Sequence, residues 1–212
     1  MNTRPQKEIR AKIVECGRWL YTQGLVSGAS GNLSARLDDR HLLVTPSGRH
    51  KGRLNPEDLL IYDMRSGRAV DPETGRPSSE IRLHVLVYRR RPDIQAVIHA
   101  HPPYAVALSV AGISFQKVVL PEALLALGSI VDCRYAAPTT EDVAHVIEAP
   151  ILKGCNALVL ARHGSVTLGK TIDEAFCRLE TLEHVAKVTA IARSMGPVGC
   201  LSNDEIDQLE KL

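Results

Sequence analysis

Three histidines stand where strand ends would bring them together. His99 and His101 close the apolar run Ile94-Gln-Ala-Val-Ile-His-Ala-His, and His163 follows a second run, Ala157-Leu-Val-Leu-Ala-Arg-His-Gly. In a strand, side chains at i and i+2 leave the same face, so the His-x-His pair can converge on one metal ion. A third imidazole from a neighbouring strand makes three protein ligands and leaves a fourth position open, which is the layout of a catalytic metal rather than a structural one. Any one of these histidines alone would read as an ordinary residue; a pair closing an apolar run does not. Imidazole nitrogens suit zinc, manganese, iron and cobalt alike.

Three short loops rich in small and hydroxyl residues form a second feature: Ser27-Gly-Ala-Ser-Gly-Asn32, Thr45-Pro-Ser-Gly48 and Pro77-Ser-Ser79. Each alone reads equally well as a turn. All three fall at strand ends or a helix start, where backbone N–H groups and hydroxyls converge on an anion, and Ser78-Ser79 would add the positive end of a helix dipole. The chain has neither a Walker-type nor a G-x-G-x-x-G sequence, so a phosphate monoester fits better than a nucleotide. Glu80 lies between the two features in sequence. A first-turn glutamate commonly does no more than complement the helix dipole, but this one directly follows Ser78-Ser79 on the helix leading to His99, in place to exchange a proton with a substrate on the metal. His84, at i+4, shares its helix face and is expected to hydrogen-bond Glu80 or pack beside it.

The elements that must position these residues are legible in the spacing. Ile9, Ile13, Cys16 and Leu20 predict a helix over 7–23 that ends at Gly24. Short strands are expected over 32–37, 42–45, 58–64 and 66–70, joined by turns such as Asp38-Asp-Arg-His, which argues for an antiparallel meander. A helix should start near Ser78-Ser-Glu80 and run to Arg89 before the His-x-His strand, with further helices near 102–110 and 141–153. The His163 strand is expected to hairpin through Gly164. Thr171-x-x-Glu174 then opens a long helix with Ala175, Leu179, Leu182 and Ala186 as its buried stripe. The expected fold class is a layered α/β fold, a mainly antiparallel central sheet flanked by helices.

Composition bounds the rest. The 212 residues show no linker or composition shift, so a single domain over 1–212 is expected. Hydrophobic residues at 44% and charged residues at 24% fit a globular protein, and a net charge of +2 gives no argument for nucleic acid. Arg89-Arg90-Arg91 reads as a solvated helix end. No stretch is long and apolar enough for a membrane span, and no signal-peptide core follows Met1, so a cytoplasmic location without membrane contact is expected. Five cysteines without a Cys-x-x-Cys pair suggest neither a disulfide framework nor a zinc ribbon.

Gly31-Asn32, Thr45-Pro-Ser-Gly48, Pro77-Ser-Ser-Glu80, His99-Ala-His101 and His163-Gly164, in that order, resemble the motif set of the class II aldolase/adducin-head family across essentially the whole chain. The resemblance implies a homotetramer with sites near subunit interfaces and one divalent metal per subunit, usually Zn2+, with Mn2+, Fe2+ or Co2+ as alternatives. It implies that His99, His101 and His163 hold the metal, that Asn32, Ser47, Gly48, Ser78 and Ser79 hold a substrate phosphate, and that Glu80 handles the proton. The motifs stand nearest to the family's sugar-phosphate aldolases. That implies cleavage of a ketose 1-phosphate, of the fuculose or the 5-deoxy/5-methylthio pentulose type, to dihydroxyacetone phosphate and an aldehyde. The residue types fit such chemistry, with a Lewis-acid metal at the C2 carbonyl and C3 hydroxyl, a carboxylate to serve C3, and no lysine in a Schiff-base setting.

The chain also departs from the fuculose-specific pattern. Those members place tyrosines after the His-x-His helix and in the C-terminal tail, whereas here 119–128 reads Val-Leu-Pro-Glu-Ala-Leu-Leu-Ala-Leu-Gly and no tyrosine follows Met195. Glu122, near the first tyrosine's place, resembles a glutamate that does acid/base work in the family's methylthioribulose-1-phosphate dehydratases. As a charge after Pro121 at a helix start it reads equally well as structural. Aldolase is therefore expected first and dehydratase or pentulose-phosphate 4-epimerase second. A non-catalytic adducin-like binding domain comes last, because all three histidines and Glu80 are present.

Overall fold

The computed structural model describes residues 4–117 and 119–211. Four short strands, β1 (Asn32–Arg36), β2 (His41–Val44), β3 (Leu60–Asp63) and β4 (Arg68–Ala69), form the expected antiparallel meander. Its first turn is held by Asp38, whose carboxylate accepts from the backbone N–H of Arg40 and of His41, both at 2.7 Å. Strand β5 (Ala96–Ala100) returns beside β1, and β8 (Gly164–Gly169), β7 (Ala157–Leu160) and β6 (Ile130–Cys133) complete an eight-stranded sheet in the order β4-β3-β2-β1-β5-β8-β7-β6. Every pairing is antiparallel except β6 with β7.

Helices cover both faces, as strands with opposite sides both apolar require. On one face Val97 of β5 and Val166 and Leu168 of β8 share a cluster with Leu83 and Val87 of α2 (Ile81–Arg90) and with Ile147 and Ile151 of α5 (Glu141–Leu152). On the other face Ala96, Ile98 and Ala100 of β5 meet Ile13 and Leu20 of α1 (Arg4–Thr22) and Ala175 and Leu179 of α6 (Ile172–Met195). A third cluster joins α6 to α3 (Pro103–Val110), α4 (Pro121–Leu127) and β7. The fold is the layered α/β arrangement with a mainly antiparallel sheet. The expected stripe of α6 is fully buried at all four positions, and Thr171 caps that helix by accepting from Glu174 N at 3.0 Å.

Three differences from the sequence reading have local causes. Helix α2 begins at Ile81, not at Ser78, because Ser78 Oγ accepts from Glu80 N at 3.2 Å and Ser78 O accepts from Ile81 N at 3.1 Å, closing a turn ahead of the first helical residue. His163 lies in the turn before β8, with Arg162 at φ 59°, and not on a strand. Strand β6 and a short α7 (Asn203–Leu209) had not been expected as elements, while α4 begins at Pro121, the helix start offered as the structural reading of Glu122. β6 is four residues long and pairs in parallel with a strand across the whole of α5, beyond the reach of local periodicity. For α7 a signal existed, the Ser202-x-x-Glu205 box that caps it.

Leu179 is fully buried between α6 and the sheet, whereas Thr171 contributes one end-capping bond. Leu179→Ala should therefore cost about 2–5 kcal/mol in urea unfolding and Thr171→Ala only about 1 kcal/mol.

Candidate active site

The pairing of β1 with β5 sets Asn32 directly opposite His99, and the pairing of β8 with β5 sets Val166 on its other side. Asn32 and Ser34 on β1, with Val97 and His99 on β5, point to the face covered by α2, while Leu33, Ala96 and Ile98 serve the α1 face. His99 is fully buried and its Nδ1 donates to Ser165 O at 2.9 Å. That bond fixes the tautomer and leaves the Nε2 lone pair to act as a ligand. His101 lies just past the end of β5, where its backbone N donates to Leu25 O at 2.9 Å. The helix that follows is pinned by Glu183, whose carboxylate accepts from Tyr104 N and Ala105 N at 2.9 and 3.0 Å.

His163 reaches the pair because Gly164 has no side chain. A Cβ there would stand 2.4 Å from Ala100 O, 2.8 Å from the His101 ring and 3.1 Å from the His99 ring. The three rings then pack at 4.8, 4.9 and 5.1 Å between centroids. One nitrogen from each lies within 4.8 Å of the others, as a shared ion requires. His99 Nε2 and His101 Nε2 are 3.1 Å apart; two nitrogens each ~2.0–2.1 Å from one tetrahedral zinc would stand about 3.3 Å apart. His163 Nδ1 is buried without a hydrogen-bond partner among the described residues. Burial, reinforced by the neighbouring His99 and His163, lowers His101 to about 4, which keeps it in the neutral form that ligates. This donor set fits a divalent ion.

Glu80 faces the group. Its Oε2 lies 3.2 Å from His99 Nε2 and its Oε1 3.2 Å from His163 Nε2. Burial alone would raise this carboxyl, but the His163 and His99 imidazoles outweigh that and hold it below the usual carboxylate range. Asn32 Nδ2 donates to Glu80 Oε2 at 2.9 Å, while Oε1 is buried with no hydrogen bond. No hydrogen bond joins His84 to Glu80 among the described residues. His84 reaches it through Asn32, whose Oδ1 contacts His84 Nε2. Burial, with His99 nearby, lowers His84 to about 3, so it is a neutral imidazole.

The three hydroxyl-rich loops meet beside this group. Pro46 pairs with Pro77, Ser47 N donates to Arg76 O at 2.8 Å, and Asn32 Nδ2 also donates to Ser78 Oγ at 3.1 Å. Lys51 ties the first loop to the second, its Nζ donating to Ala29 O at 2.9 Å and to Arg49 O at 2.8 Å. Burial lowers that ammonium to about 8. Ser47, Gly48 and Ser79 are exposed and Ser78 half-buried. The Asn32 side chain, assigned to phosphate by the resemblance, is buried with its amide committed to Ser78, Glu80 and His84.

The family described as Class II Aldolase and Adducin N-terminal domain matches residues 11–190. This chain belongs to it. Members of this class II aldolase family are enzymes that use a divalent metal, and this chain is one of them. The methylthioribulose-1-phosphate dehydratase of Methylococcus capsulatus is 36% identical, over 82% of this chain and 89% of that protein. The L-fuculose phosphate aldolase of Methanococcus vannielii is 35% identical, over 82% and 92%. The 3-oxo-tetronate 4-phosphate decarboxylase of Haemophilus influenzae is 32% identical, over 97% and 96%. The crystal structure of YgbL from Klebsiella pneumoniae superposes with a TM-score of 0.86 at 29% identity, covering 95% of this chain and 97% of that one. Relatives this similar carry three different reaction names, so family membership narrows the chemistry without choosing the bond that breaks.

Glu122 stands apart from the histidines. It sits in the first turn of α4, half-exposed, with its carboxylate 3.9 Å from His184 Nε2. Sequence reasoning missed Ser34 and Tyr88 beneath the site, Lys51 between the loops, and Glu183 behind His101. The spacing held a partial signal: Glu80, His84 and Tyr88 recur every four residues along α2, and Asn32 and Ser34 every two along β1.

Two variants test this centre. The His99→Ala/His101→Ala double variant should lose most of its metal, and full occupancy by elemental analysis would remove the assignment. Gly164→Ala should cost about 1–3 kcal/mol by overpacking and lower the metal content as well, because the added methyl displaces two ligand rings.

Proposed function

We propose that this chain is a divalent-metal-dependent aldolase that cleaves a ketose 1-phosphate, of the fuculose or the 5-deoxy/5-methylthio pentulose type, to dihydroxyacetone phosphate and an aldehyde. The observation that carries this reading is the Glu80 carboxylate, set 3.2 Å from both the His99 and the His163 Nε2 atoms. One carboxylate against the metal ligands suits a reaction needing one proton delivered to carbon. His99, His101 and His163 would hold the ion, for which three imidazoles favour zinc. When bound, it supplies Lewis-acid polarisation of the substrate carbonyl and offsets the negative charge that develops as C3–C4 breaks.

The chain's own groups divide the remaining work. Ser47, Gly48, Ser78 and Ser79 present hydroxyls and amides to the phosphate and so fix one end of the substrate. The C4 hydroxyl gives up its proton as the aldehyde forms, and C3 takes one up. Glu80 Oε1, which faces His163 and accepts no hydrogen bond among the described residues, is the atom suited to take the first proton and return it to C3. A homotetramer is part of the proposal, supported by large apolar side chains left exposed on one chain, among them Trp19, Leu125 and Met195. Dehydration of a methylthioribulose-1-phosphate-like substrate is the second reading. It is favoured by Glu122, whose half-exposed carboxylate is accessible to a neighbouring subunit as the extra acid a departing hydroxyl needs.

A panel of ketose 1-phosphates, with dihydroxyacetone phosphate followed enzymatically and products by mass spectrometry, separates the two. The proposal expects two carbon fragments, and Glu122→Gln slower by less than Glu80→Gln; a single product lighter by one water, abolished in Glu122→Gln, establishes the dehydratase instead. Glu80→Gln should lower kcat by about 10²- to 10⁴-fold with metal retained. Ser79→Asp should raise KM about tenfold or more through like-charge repulsion, a change of about 1.4 kcal/mol, and leave metal content intact.

A further inference from the structure

A chain of side chains runs from Glu80 into the core between β1 and α2. Asn32 Nδ2 donates to Glu80 Oε2 at 2.9 Å, Asn32 Oδ1 meets His84 Nε2, His84 Nδ1 is 2.6 Å from Ser34 Oγ, and Tyr88 OH donates to Ser34 O at 2.9 Å. Ser34 and His84 are 1% exposed, Tyr88 2% and Asn32 4%, so no water can stand in for a missing link. The chemistry of the links permits one direction. A carboxylate only accepts, so Asn32 must turn its NH2 to Glu80 and its Oδ1 to His84. An oxygen acceptor there demands hydrogen on His84 Nε2, and the neutral ring then has a lone pair on Nδ1. Ser34 fills it with its hydroxyl hydrogen, and Tyr88 has the Ser34 carbonyl for its own.

We propose that His84 is a positioning residue for proton transfer: acting through Asn32, it holds Glu80 by Oε2 and leaves Oε1 as the oxygen that exchanges the proton. The inference rests on the reading of Glu80 as proton carrier and deepens it. It assigns the Asn32 side chain to the carboxylate rather than to the substrate phosphate. Without the Nε2–H donor the Asn32 Oδ1 loses its buried partner, and the amide is held only through its NH2 to Glu80 and Ser78, so the placement of the carboxylate loosens.

The test uses the zinc-loaded enzyme and substitutes His84 by Leu, which removes the donor, or by Gln, whose side-chain NH2 falls near the place of Nε2. His84→Leu should lower kcat about 10- to 100-fold with KM and metal content little changed, and His84→Gln should recover most of that loss. In the Glu80→Gln background His84→Leu should cause no further loss. Long-range 1H–15N spectra of the wild type should show His84 as the Nε2–H tautomer. An Nδ1–H tautomer, equal losses in the Leu and Gln variants with metal intact, or a loss expressed in KM each overturns the proposal. If His84→Leu fails to fold, the tautomer and the Gln variant still decide. Normal turnover in Glu80→Gln rejects the proton-carrier reading and this inference with it, an outcome distinct from a His84 effect that persists undiminished when Glu80 is replaced.

Discussion

A carboxylate and four imidazoles share a layer of this protein that water scarcely enters. Taking a carboxylate out of water costs several kcal/mol unless charges or hydrogen bonds replace its hydration. Glu80 has the His99 and His163 nitrogens on one side and the Asn32 amide on the other, and His99 and His84 each have a defined partner for the nitrogen turned away from it. The layer is stable only as a set. Within it, among the described residues, His163 Nδ1 has no hydrogen bond and Glu80 Oε1 has only the His163 Nε2 beside it at 3.2 Å. In a layer otherwise so fully bonded, the carboxylate oxygen that faces only the imidazole group is the one the proposed chemistry uses.

Rigid elements hold the metal end of the site. β1, β5 and β8 lie side by side at the centre of the sheet, and their pairing fixes Asn32, His99 and the approach of His163 with little freedom left to side chains. Gly164 permits that approach on one edge of β5. On the other, Gly31, at φ 71°, brings the first loop to where a Cβ would meet Val26 at 2.6 Å and His99 O at 3.0 Å. The hydroxyl-rich end, proposed to hold phosphate, is built differently, from three loops laced together by Pro46, Lys51 and Asn32 and open to solvent at Ser47 and Ser79. Imidazoles and a carboxylate fixed by the sheet, next to exposed loops, suit a scaffold whose relatives share phosphate-substrate names but not one reaction.

The residue on which the two proposed reactions differ lies away from this layer. Glu122 sits at the exposed start of α4, on an element that packs against α6 on the opposite face of the sheet from α2. In the proposed homotetramer it would meet a substrate from across a subunit boundary.

The sequence by itself determined the layered α/β class, the meander, the buried stripe of α6 and the identity of the three histidines with Glu80. Each is encoded in spacing of two or about four residues, or in residue types whose chemistry is narrow. Only the tertiary structure decided how these groups meet. His84 was expected to hydrogen-bond Glu80 or pack beside it; the hydrogen-bonded link runs through Asn32, because α2 lies over β1 and not because of any spacing within α2. His163 was expected on a strand and sits in a turn, where a left-handed Arg162 and a side-chain-free Gly164 aim it at His99. β6 was missed because its partner lies beyond a helix, and parallel pairing at that range leaves no local trace. Periodicity tells which face a residue occupies, but which two faces touch is set by the packing of the whole chain.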